Sequence, residues 1–94
     1  MSLKTQISED LKNAMKSGDT MKRDTLRMLD AMIKNTEIEK LKKEEGLSDA
    51  EVQEVIARAV KQRRDSVAQY TAGGRPELAE KENQEIEILM DYMP

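Results

Sequence analysis

Ninety-four residues with 19 acidic and 16 basic side chains, net charge −3, leave room for one small domain in which a 37% hydrophobic share is matched by a 37% charged one. Tyr70 and Tyr92 are the only aromatic side chains, and the abundance of Glu, Lys, Arg, Ala, Leu and Met excludes an all-β sandwich in favour of long helices with solvated outer faces. Without Cys or His the chain has no disulfide, thiolate nucleophile, imidazole base or common zinc site, so no metal and no cofactor is expected.

In chain order, Ser2 caps a first helix over 3–17, along which Leu3, Ile7, Leu11, Ala14 and Met15 form one apolar stripe, and Gly18 ends it. Lys4 and the polar residues around it stand where a signal peptide needs an apolar run, and no window approaches the roughly 18 apolar residues of a membrane span. The expected location is the cytoplasm. Asp19 caps a second helix over 20–45, with Met21, Thr25, Met28, Leu29, Met32, Ile33 and Thr36 on its core face. The methionine stripe reads as core filling before it reads as a binding groove. Lys40, Lys42 and Lys43 suit the negative pole of the helix, and Gly46 closes it. Ile38 and Leu41 lie nearly opposite the stripe, which makes them either contacts to another helix or a small partner surface.

Ser48-Asp49-Ala50-Glu51 is a capping box opening a third helix over 49–72, with Val52, Val55, Ile56, Ala59, Val60, Val67 and Tyr70 facing inward. Gly73-Gly74 turns the chain, and Pro76 at the first helical position starts a fourth helix over 76–92, whose inner face is Leu78, Ile86, Leu89, Met90 and Met93. Short connections favour antiparallel neighbours, so the expected fold is an all-α four-helix bundle, mainly antiparallel, with a hairpin of the third and fourth helices.

At about 100° per residue, Arg63 falls inside the apolar arc of the third helix, and Glu82 and Glu85 fall on the buried side of the fourth. A hairpin register pairing Tyr70 with Leu78 and Val60 with Ile86 brings Arg63 opposite Glu82 or Glu85. Such a pair fixes packing register, and an Arg beside the carboxylates would lower their pKa values and make them poor general acids. Arg58, Lys61 and Arg64 repeat every three residues on the opposite face. They form either a solvated surface laced by Glu54–Arg58 and Lys61–Asp65 pairs, or a stripe for RNA phosphates; the lack of aromatics disfavours base stacking. Residues 73–94 carry two basic and six acidic side chains, so that end should face away from phosphate.

The strings Ala59-Val60-Lys61-Gln62-Arg63-Arg64-Asp65-Ser66, Ala72-Gly73-Gly74-Arg75-Pro76-Glu77-Leu78-Ala79-Glu80-Lys81-Glu82 and Glu85-Ile86-Glu87-Ile88-Leu89, ending Tyr92-Met93-Pro94, resemble the YqeY family. Leu3 to Lys22 and Leu26-Arg27-Met28-Leu29 through Ile33-Lys34 are similar to it too, so the resemblance covers the whole chain. The second glycine of the turn and Pro76 depart from the usual pattern. The family is related to the tail of the B subunit of the glutamine-dependent aspartyl/glutamyl-tRNA amidotransferase. This kinship implies a helical bundle with a tRNA-associated accessory role, Arg58, Lys61, Arg64 and Arg75 being the candidate phosphate contacts. It also implies a second, three-helix domain beyond a junction like Tyr92-Met93-Pro94, which this chain lacks. Proteins of this kind are described as carbon-nitrogen ligases with glutamine as amide donor, but the resemblance carries over no active site, and no catalytic residue is expected. The other function compatible with the sequence is a protein-interaction or structural bundle, with Ile38 and Leu41 in its partner surface.

Overall fold

A computed structural model describes residues 1–94 as four helices without strands: α1 (Leu3–Ser17), α2 (Thr20–Glu39), α3 (Asp49–Ala72) and α4 (Pro76–Met90). The caps are local chemistry. The Ser2 hydroxyl accepts the Thr5 amide, Asp19 accepts that of Lys22, and Ser48 and Glu51 close the reciprocal capping box. Gly74, at φ 72°, takes the left-handed turn that leads into Pro76.

Joined by two or three residues, α1 packs on α2 and α3 on α4 as two hairpins, with α2 touching both α3 and α4 and α1 also reaching α3. The core runs through every layer: Ile7 from α1, Leu26, Leu29 and Ile33 from α2, Val52, Val55, Ile56, Ala59 and Val60 from α3, and Leu89 from α4. Met28, Met32 and Met93 pack around it, which agrees with core filling for the methionine stripe. The radius of gyration, 14.0 Å, exceeds the roughly 12 Å of an average fold of this length. The 24 residues of α3, about 36 Å of helix at 1.5 Å per residue, stretch the molecule to 45 Å along its long axis.

Two helix ends differ from expectation. Helix α2 stops at Glu39 instead of reaching 45. The Lys42 amide returns to the Glu37 carbonyl at 2.8 Å and the Leu41 amide to that of Ile38 at 3.1 Å, a Schellman closure with Leu41 at φ 56° where glycine is usual. Behind it the buried Glu37 carboxylate accepts the Lys4 ammonium at 2.7 Å and the Leu47 amide at 3.1 Å, which draws the connection inward and buries Leu47. Lys40 and Lys42 therefore serve no helix pole. Both bind Glu51 at the start of α3, at 3.2 and 3.0 Å. Helix α4 stops at Met90 instead of 92: Tyr92 turns inward, buried, and its hydroxyl donates to Asp10 on α1. Met93, preceding Pro94, is disfavoured from helix in any case.

Candidate nucleic-acid interface

Helix α3 separates two chemistries by period. Its inner face is aliphatic, and its outer face exposes Arg58, Lys61 and Arg64, spread over about 9 Å of helix axis. None of the three has a carboxylate within 4.0 Å: the Glu54–Arg58 and Lys61–Asp65 pairs of a laced surface do not form. Arg75 stands apart from them, at the N-cap of α4, and its guanidinium is held by Glu77 at 2.8 Å with both side chains about 60% exposed. The structure thus groups three candidate phosphate contacts and leaves the fourth elsewhere with its charge offset.

The charged layer between α3 and α4 joins Arg63 to Glu85, Nε to Oε2 at 2.9 Å, and the same guanidinium donates to the Ala59 carbonyl at 3.2 Å. Both side chains are largely buried, 14% and 16% exposed. Glu82 makes no ion pair with Arg63. Burial, and after it the negative charge of Glu85, push the Glu82 carboxyl up, against the lowering effect of Arg63. This is the opposite sign to that expected of an Arg-flanked carboxylate, because Glu85 takes the Arg63 guanidinium and leaves Glu82 beside a carboxylate. No cluster of three or more acidic side chains is placed to hold a metal ion.

Of two further surface features, the first escaped the sequence and the second, at Ile38 and Leu41, is a partner surface that the sequence offers as a candidate. A hollow of about 250 Å3 lies directly beside the basic stripe, lined by Ala57, Val60, Met90 and Met93 and edged by Lys61 and Arg64 themselves. It joins residues about 30 positions apart, so only the hairpin register could have indicated it. The second is the neighbourhood of Ile38 and Leu41. The structure does bring these two together on the surface, 59% and 91% exposed, around an open hollow of about 500 Å3 rimmed by Lys43, Glu44 and Glu45. Once Lys40 and Lys42 are bound to Glu51, a segment that reads as lysine-rich presents mainly free carboxylates.

The family model of the YqeY-like proteins matches residues 4–94. Among curated proteins, the chain is similar to the mitochondrial "altered inheritance of mitochondria protein 41" of several yeasts. It is 37% identical to that of Kluyveromyces lactis over 92% of this chain and 45% of the relative. For the Candida glabrata protein the figures are 34%, 93% and 47%, and for the Clavispora lusitaniae protein 35%, 97% and 51%. The chain spans about half the length of the curated relatives it matches. Their names contradict the plain cytoplasmic location expected from the sequence. No helix here is long and apolar enough to cross a membrane, a property that carries no information on compartment. With the four helices in place and the match running almost from end to end, the chain belongs to the YqeY family.

Proposed function

We propose that this chain is a tRNA-associated accessory module without a catalytic centre of its own, contacting RNA phosphates through Arg58, Lys61 and Arg64. The observation that supports this most is their isolation from carboxylates on one exposed helix face. Cations already paired would have to exchange one anion for another and gain little; free ones release counterions on meeting a phosphate chain. Membership of the YqeY family, with its kinship to the amidotransferase tail, supports tRNA as the class of RNA. Arg75 is withdrawn from the primary contact set, since Glu77 already offsets it. With no aromatic side chain on the stripe, recognition proceeds through backbone and shape.

The test is binding of fluorescently labelled tRNA to the 94-residue chain at low salt. Changing Arg58, Lys61 and Arg64 together to Ala is expected to weaken binding by at least about 30-fold, roughly threefold or more per lost contact, while Arg75→Ala changes it little. No binding by the parent chain, or equal binding by the triple variant, would reject the proposal. A protein-docking role for Ile38 and Leu41 is the second reading, favoured by the near-complete exposure of a leucine held in the left-handed region.

A further inference from the structure

The two surface features that the fold creates are complementary to each other. One is a projection: Leu41 and Ile38, exposed, apolar, and surrounded by charges that no intramolecular partner neutralises. Those charges are Glu39, Glu44 and Glu45 against the single base Lys43, because Lys40 and Lys42 are held by Glu51. The other is a depression: the hollow floored by Val60, Met90 and Met93, edged by the unpaired Lys61 and Arg64. Its volume, about 250 Å3, exceeds the roughly 150 Å3 of an apolar cavity that admits benzene, so an aliphatic side chain fits. Methionine walls adapt to such a guest, and Met90 is 41% exposed in the free chain.

Apolar projection with an acidic rim and apolar hollow with a basic rim match in shape, polarity and sign of charge. We propose that the chain self-associates, with Leu41 and Ile38 of one copy seated in the Val60–Met90–Met93 hollow of a second, and Glu44 and Glu45 of the first facing Lys61 and Arg64 of the second. The backbone at Leu41 fits this use. It is the one non-glycine residue at positive φ, held there by the Schellman closure and by the Lys42 contacts to Glu51, so the side chain projects from a rigid base instead of a mobile loop. Two aliphatic side chains supply only part of the roughly 800 Å2 per partner of a standard interface, so the association is weak and concentration-dependent. The contact does not rest on RNA binding. RNA and a second copy would compete for Lys61 and Arg64.

Sedimentation velocity of the chain alone over a concentration series, without RNA, tests the contact. The expected result is a weight-average mass that rises with concentration and falls back as salt is raised. Leu41→Gly removes the projection at a φ that glycine accepts, and the double variant Lys61→Glu/Arg64→Glu reverses the rim of the hollow at exposed positions. Each alone is expected to lose at least about tenfold in association, with circular dichroism melts confirming that both fold. Mixed together they should recover a one-to-one complex, because one retains the hollow and the other the projection. A parent chain that stays monomeric at every concentration overturns the proposal. So does a mixture of the two variants that stays monomeric where the parent associates, since one copy then offers an intact hollow and the other an intact projection without the two joining.

Discussion

Thr25 sits on the core face of α2, 2% exposed, and its hydroxyl has no hydrogen-bond partner. A buried hydroxyl without a partner costs about 1 kcal/mol or more, and Val keeps its shape. Thr25→Val is therefore expected to stabilise the chain by roughly 1 kcal/mol, read as a higher urea midpoint with unchanged slope. Glu82 is unfavourable for a different reason. Its folded carboxyl is shifted upward by burial and by Glu85, so the folded state holds its proton more tightly than the unfolded one. Stability should then fall as pH rises from the unfolded value of 4.5 through the raised folded value. Glu82→Gln is expected to raise stability at pH 7 and to make little difference at about pH 3; equal effects at the two pH values would contradict this assignment. Leu41 shows how little such a substitution can change. A leucine in the left-handed region costs about 1 kcal/mol or somewhat more, and glycine there relieves that while losing up to about 1 kcal/mol to its greater unfolded freedom. The two nearly cancel, which is why the variant isolates binding from folding.

At the scale of elements, the connection between α2 and α3 is an ionic assembly. The Glu51 carboxylate caps its own helix at the Ser48 amide and holds Lys42 and Lys40, contacts that lower its pKa to about 2. Its contribution is fully present above the unfolded value of 4.5 and is lost as pH falls toward about 2. Glu51→Gln should accordingly lower the denaturant midpoint at pH 7, with the difference from the parent closing by about pH 2; a difference that persists there would assign the loss to packing. What was legible in the sequence here was whatever lies within one turn: Ser2, Asp19 and the capping box act on amides three residues away, and Pro76 sets its own φ at the first position of α4. The end of α2 was not, because it is set by Lys4 reaching Glu37 from 33 residues away and by Leu47 seeking the core. Leu26, fully buried, lies outside the single stripe for the same reason, since α2 packs on α1, α3 and α4 and so buries a wider arc.

At the scale of the molecule, helical periodicity sufficed to indicate four helices and the α3–α4 hairpin, because each helix is amphipathic and long relative to its turn. The surface was harder to read, since the sequence shows where charges are and the fold decides which of them are spent. Lys40, Lys42 and Arg75 are neutralised by carboxylates that tertiary or turn geometry brings to them, whereas Arg58, Lys61 and Arg64 are left free next to a hollow. That residual charge is the basis of the proposed RNA contact, and its ionic-strength dependence is the most direct test. The measurement is the slope of log association constant against log salt for labelled tRNA, taken for the parent chain and for the variant with Arg58, Lys61 and Arg64 changed to Ala. Three phosphate contacts predict a slope shallower by roughly three units in the variant, about one for each cation removed; equal slopes, or no binding by the parent chain at the lowest salt, would contradict the account.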